Sequence, residues 1–208
     1  MDSSTNEPQA PQTLTDWLRH QTSGTLSRVG IVLHNIGIHP DTVTFLGWIL
    51  VMVGAGFIAN GQMQIGALWL ILALPMDALD GAVARAMQRQ GRFGAMLDST
   101  LDRYADGFIF AALSYHFALN DLMGLFALAQ VALIGSFLVS YTRARAEGLG
   151  VDCKVGIFTR VERLAVIMLM LLIPILLPIG VTVLAIGTQV TAGQRIWYVY
   201  RSLKNRGD

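Results

Sequence analysis

The sequence predicts an all-α fold, an integral membrane bundle of six transmembrane helices with an N-terminal amphipathic helix lying in the interface. Three observations predict it. Of the 208 residues 53% are hydrophobic and 14% charged, and the mean hydropathy is +0.52, well above that of a soluble domain. Six stretches are long and apolar enough to cross a bilayer whose hydrocarbon is roughly 30 Å thick. Lys and Arg gather on alternate connections between them, the pattern of cytoplasmic loops.

Residues 1–13 are polar and contain proline, with no apolar run behind a basic cap. They read as a disordered leader without a cleavable signal peptide. Residues 14–36 carry Trp17, Leu18, Leu26, Val29, Ile31, Val32 and Leu33 among polar neighbours. That suits an interfacial helix or, equally, an ordinary amphipathic connector. Residues 37–208 form one domain with spans near 42–60, 63–87, 94–119, 122–146, 161–177 and 179–200, the last weakened by Gln189, Thr191 and Gln194. Pro174 and Pro178 mark the final turn, because proline cannot donate into a helix ladder.

Arg85, Arg89 and Arg92 lie between the second and third spans, and Arg143, Arg145, Lys154, Arg160 and Arg163 around the connection of the fourth to the fifth. The opposite connections hold no Lys or Arg. Arg19 and Arg28 precede the first span, and Arg201, Lys204 and Arg206 end the last, so both termini are expected in the cytoplasm. A net charge of +1 gives no basic field, and no nucleic-acid partner is expected. The lone Cys153 excludes an intrachain disulfide. His20, His34, His39 and His116 have no partner at ligand spacing and suit packing or interfacial roles.

Five carboxylates lie within the second and third spans, where each costs roughly 2.5–3.5 kcal/mol on insertion scales. Asp77 and Asp80 are three residues apart near the end of the second span, and Asp98, Asp102 and Asp106 are four apart at the start of the third. Both spacings put the side chains on one helix face. A short basic loop joins the two helices, so they are expected as antiparallel neighbours with converging acidic faces near the cytoplasm. Charges so close repel unless a cation holds them. Hard oxygen ligands without His or Cys favour Mg2+ or Mn2+ over zinc. Two such ions suit in-line phosphoryl displacement. Gly81 and Gly94 permit close backbone approach of a ligand, and Arg85 can pair with phosphate. The competing reading is that the aspartates cap helices or pair with Arg85, Arg89 and Arg103. A divalent cation transporter is the alternative from a different class, since intramembrane carboxylates also build ion paths.

The run from Asp77 through Asp80, Gly81, Ala84 and Arg85 to Gly94, Asp98 and Asp102 fills eight fixed positions over 26 residues. It resembles the signature of the CDP-alcohol phosphotransferases. The resemblance implies that Asp77, Asp80, Asp98 and Asp102 bind two Mg2+ ions, with Mn2+ a possible substitute, against the diphosphate of CDP-diacylglycerol or CDP-archaeol. It implies that Asp102 is also the general base, removing the acceptor's hydroxyl proton while CMP leaves. Gly81, Ala84, Arg85 and Gly94 would line the nucleotide pocket. The stretch 40–44, PDTVT, is similar to the family's opening of the first span, which makes Asp41 and Thr44 contacts of the CDP-lipid or, equally, helix caps.

The segments 140–147 (SYTRARAE), 160–163 (RVER) and 97–103 (LDSTLDR) are similar to those of prokaryotic phosphatidylinositol phosphate and archaetidylinositol phosphate synthases. The resemblance implies a phosphorylated alcohol as acceptor, inositol 1-phosphate first and glycerol 3-phosphate second. Arg143, Arg145, Arg160 and Arg195 would hold its phosphate, which arginine matches bidentately. Arg143 stands where those enzymes usually have lysine, and Gly91 where many have Ser or Thr. Asp106 lies outside the signature and is expected to partner Arg103 or a substrate hydroxyl. By the same resemblance the protein is expected in a prokaryotic plasma membrane, as a homodimer with its active site facing the cytoplasm.

Overall fold

The computed structural model describes residues 31–32, 35–37, 39–86 and 92–206, without the side chains of residues 40, 77, 78, 80–82, 84–86 and 92. The disordered leader of residues 1–13, and all but a few residues of the interfacial helix expected over 14–36, lie outside the described residues. Among the described residues the long elements are all helical: α1 (Pro40–Ala59), α2 (Met63–Ala86), α3 (Arg92–Leu119), α4 (Met123–Gly148), α5 (Arg160–Leu172), a 3₁₀ turn (Pro174–Leu176) and α6 (Leu177–Lys204). Each of the expected spans falls on a helix, except that the fifth, 161–177, takes in α5, the 3₁₀ turn and the first residue of α6.

Local chemistry sets the ends. Pro40 opens α1, where its missing N–H costs nothing. The α1–α2 and α3–α4 turns are built alike: Asn60 Nδ2 donates to Gly56 O, and Asn120 Nδ2 to His116 O, each at 2.8 Å. The chain then reverses through a left-handed residue, Gly61 at φ 79° in one turn and Asp121 at φ 57° in the other. Pro174 and Pro178 stand at the openings of the 3₁₀ turn and of α6.

Among the described residues three segments are long and apolar enough to cross a membrane, by length and composition alone: Asp41–Ala59, Met123–Gly148 and Pro174–Lys204. The apolar run Met63–Met76 of α2 leads into residues of the same helix whose side chains lie outside the described ones. The first turns of α3 carry Asp98, Asp102, Arg103 and Asp106, and α5 has 13 residues, about 20 Å of rise. On α6, Ile179, Val183, Ile186, Val190 and Trp197 remain exposed at helical spacing. Such a stripe is tolerable facing lipid and a liability facing water. This is a membrane protein.

The core gathers on α3, whose Ile109, Phe110, Leu113 and Phe117 are buried against Ile58, Leu70, Ile167, Met170 and Leu184 of other helices. The convergence of α2 and α3 expected from the sequence falls on the end of α2 whose side chains lie outside the described residues; nearer the core the two helices line one shared cleft. Among the described residues the close pairs are α1 with α2, α1 with α3, α4 with α3 and α6, and α5 with α6 and α2. Glycines bring α1 and α2 together: a Cβ on Gly54 would stand 3.1 Å from Gly66 O, and one on Gly47 would stand 2.8 Å from Met76 Cβ. These close approaches draw α1 onto α2. Helix α3 then docks on the next face of α1, and a cleft remains between α2 and α3.

Candidate active site

The cleft is walled by α1, α2, α3 and α5. Its walls follow from helical register. On α1, Thr44, Gly47, Trp48 and Val51 share one face; on α3, Asp98, Asp102 and Asp106 stand one turn apart and all line the cleft. One end is acidic, while Leu70, Ala73, Ile109 and Met168 make the interior apolar.

Asp102 is compensated by two cations. Its Oδ1 pairs with Arg160 at the start of α5, and its Oδ2 lies 3.1 Å from Arg103 Nη2. The Arg103 pair is the partnership that the competing reading anticipated. Asp106, one turn deeper on the cleft wall, is paired with Arg163 rather than with Arg103. Its Oδ2 accepts from Arg163 Nη2 at 2.9 Å and from Ser136 Oγ at 2.6 Å, and all three residues are buried.

The start of α5 is held from below. Arg195 donates through Nε to Val155 O at 2.9 Å and through Nη1 to Val139 O, while Thr191 Oγ1 accepts from Phe158 N at 2.9 Å. Gly156, at φ 124°, lets the connection lie against Thr191, whose Cγ2 would stand 2.5 Å from an added Cβ. Thr159 and Glu162 bond to each other across the first turn of α5. Together these place Arg160 at the cleft and Arg163 beneath it.

The structure does not gather all the expected residues at one lining. Of the CDP-lipid candidates, Thr44 lines the cleft; Asp41 is exposed, 3.7 Å from His39 Nδ1, and Gly94 is half-buried with open space around it. Asp77 and Asp80 stand four and seven residues beyond the cleft-lining Ala73 on α2, and Gly81, Ala84 and Arg85 follow on the same helix. Their side chains lie outside the described residues. Of the acceptor candidates, Arg160 lines the cleft. Arg145 is exposed on the last turn of α4, Arg143 pairs with Glu147 at 2.9 Å on that surface, and Arg195 is buried with its donors on backbone carbonyls. Arg163, Ser136 and Trp48 were not singled out from the sequence. For Arg163 a signal existed, since Arg160 and Arg163 repeat at helical spacing as Asp102 and Asp106 do.

Among the described residues no three ligating groups gather closely enough to hold a metal ion, and the side chains of two of the four expected ligands lie outside the described ones. The described part fits a hard divalent cation. Asp98 and Asp102 present carboxylates one turn apart on one cleft wall, and positive guanidinium groups already stand against Asp102.

Residues 37–193 match the family model of the CDP-alcohol phosphatidyltransferases. The chain belongs to that family. As a CDP-alcohol phosphatidyltransferase it is an enzyme that transfers substituted phosphate groups. It is 36% identical over 178 residues to the archaetidylinositol phosphate synthase of Methanothermobacter thermautotrophicus, covering 83% of this chain and 89% of the relative. With the phosphatidylinositol phosphate synthase of Streptomyces avermitilis it shares 38% identity over 179 residues, 79% of this chain and 73% of the relative. Among solved structures, the Mycobacterium tuberculosis phosphatidylinositol phosphate synthase with CDP-DAG bound matches with a TM-score of 0.81 at 31% identity, covering 84% of this chain and 93% of that chain. The same enzyme in complex with manganese and citrate matches with a TM-score of 0.80 at 32% identity, covering 84% and 88%.

Proposed function

We propose that this phosphatidyltransferase moves the phosphatidyl or archaetidyl group of a CDP-linked lipid onto a hydroxyl of inositol 1-phosphate and releases CMP. The observation that carries the reading is the cleft itself, with Asp98, Asp102 and Arg160 at one end and an apolar interior at the other. That polarity suits a substrate with a charged diphosphate and hydrocarbon chains. The names of the relatives favour inositol phosphate over glycerol 3-phosphate.

Asp77, Asp80, Asp98 and Asp102 would hold two Mg2+ ions, or Mn2+ in their place. When bound, these supply positive charge to the diphosphate and to the departing CMP oxygen. Asp102 accepts the proton of the attacking hydroxyl. The hydroxyl oxygen forms a bond to the lipid-side phosphorus, the bond from that phosphorus to the CMP oxygen breaks, and CMP leaves with the electron pair. Thr44 and Asp41 on α1, and Gly81, Ala84, Arg85 and Gly94 at the facing helix ends, contact the CDP part. Arg160 turns from Asp102 to the acceptor's phosphate as that phosphate arrives, with Arg143 and Arg145 at the rim. Arg195 holds the wall of that pocket. The active site and both termini face the cytoplasm of a prokaryotic cell, and two chains pair.

The test is CMP release by purified protein from CDP-diacylglycerol and CDP-archaeol, with inositol 1-phosphate, glycerol 3-phosphate, serine or free inositol as acceptor. Release with inositol 1-phosphate, abolished by chelation and restored by Mg2+, is expected. Turnover with glycerol 3-phosphate alone, or with serine alone, overturns the acceptor assignment.

A further inference from the structure

One polar atom in the cleft has no work in the scheme above. Trp48 lines the cleft one turn beyond Thr44, and its Nε1 is shut off from solvent with no hydrogen-bond partner among the described residues. A buried N–H without an acceptor is costly, the more so in hydrocarbon, and native structures rarely keep one without a reason. The ring is held in place by neighbours. Its centroid is 5.3 Å from that of Phe45, 6.4 Å from Tyr104 and 5.9 Å from Phe108, the last two edge-on.

Those contacts also fix its depth. Tyr104 and Phe108 flank Asp106 on α3, so the indole lies level with Asp106, one turn or about 6 Å further in than Asp102. A substrate with its diphosphate at the level of Asp98 and Asp102, and its chains against Val51, Ile109 and Met168, places its glycerol–chain linkage at this depth. Nothing else lining that part of the cleft is a free side-chain donor by residue type, since Val51, Leu70, Ala73, Ile109 and Met168 are apolar.

We propose that the Trp48 indole N–H donates a hydrogen bond to an oxygen of the donor lipid's glycerol–chain linkage, an ester carbonyl or an ether oxygen, and so seats the lipid half of the CDP-lipid. This rests on the reading of the cleft as the CDP-lipid site.

Trp48→Phe keeps an aromatic ring against Phe45, Tyr104 and Phe108 and removes only the donor. In CMP-release assays at saturating inositol 1-phosphate and Mg2+, the donor KM is expected to rise about 5- to 10-fold, the loss of one hydrogen bond. The acceptor KM and kcat should stay near wild type. Ester- and ether-linked donors run as separate arms, and the larger rise identifies the oxygen. CDP-glycerol, which has the diphosphate but no chain linkage, should inhibit both proteins equally. An unchanged donor KM with both lipids overturns the contact, as does equal weakening of CDP-glycerol. A lowered melting temperature at unchanged KM would show instead that the neighbouring rings satisfy the N–H. If wild-type protein releases no CMP from either lipid with any acceptor, the functional reading itself fails; normal wild-type turnover with an unaffected variant removes the Trp48 contact alone.

Discussion

Asp102 and Asp106 stand one turn apart on α3, and their partners Arg160 and Arg163 stand one turn apart on α5, so the two pairs form successive rungs between the same helices. Their surroundings differ. In the inner rung the arginine and aspartate side chains are 3% and 6% exposed; in the outer they are 34% and 12% exposed. The inner carboxylate also accepts from Ser136, while the outer one is shared with Arg103 at the wall of an open cleft. Charge pairing alone does not distinguish a working group from a fixed one. Opening the inner rung strands two charges in a low-dielectric interior, whereas opening the outer rung hands its charges to solvent and substrate. The deeper pair is a fastening that keeps α5 against α3, and the outer pair can exchange partners during turnover.

The largest effect is expected at the outer rung and on rate. Asp102→Asn removes the proposed proton acceptor and a metal ligand, and CMP release should fall by about 10²- to 10⁴-fold. Melting in detergent should change little, because the rung opens to the cleft. Rate retained within a few-fold would assign the proton to another group. The inner rung is expected to respond the other way round. Arg163→Ala leaves Asp106 buried without its cation, and stability should drop by about 3–5 kcal/mol. A denaturant titration in detergent reads this. A loss no larger than that of Arg160→Ala would mean that the rungs are not different after all.

Parts of this contrast were legible in the sequence and parts were not. The spacing of Asp98, Asp102 and Asp106 put them on one face of α3, and all three line the cleft. The first span, expected at 42–60, is the helix Pro40–Ala59. Periodicity and proline placement suffice for such features because they are local. Asp106 was matched with Arg103, three residues away, and found its cation 57 residues away. Sequence distance stood in for a docking that only the packing of α5 decides. The resemblance implied a phosphate contact for Arg195; the structure adds a bond from its Nε to Val155 O, and the path of residues 149–159 that makes it has no local signal. The close approach of α1 to α2 rests on Gly47, Gly54 and Gly66, whose effect appears only when the two helices lie together.

A smaller test stays within the inner rung. Ser136→Ala removes one of the two donors to Asp106 Oδ2 and keeps the cation. A hydrogen bond to a charged group contributes about 1.5–3 kcal/mol, so the loss should fall below that of Arg163→Ala. A loss equal to it would make the hydroxyl, not the arginine, the main hold on Asp106.

The smallest effect on stability is expected at a third arginine–carboxylate pair, which carries the series to the surface. Arg143 and Glu147 sit four residues apart on the last turns of α4, 2.9 Å from each other and about half exposed. Solvent screens such a pair, and Arg143→Ala should change stability by no more than about 0.5 kcal/mol. The variant nevertheless separates two roles. If Arg143 reaches the acceptor's phosphate, losing a charge-assisted hydrogen bond should raise the KM for inositol 1-phosphate about tenfold or more, with the donor KM unmoved. If neither constant moves, the acceptor is held from α5 by Arg160, and Arg143 has no part in binding it. Burial would then set stability along the three pairs, and access to the cleft would set function.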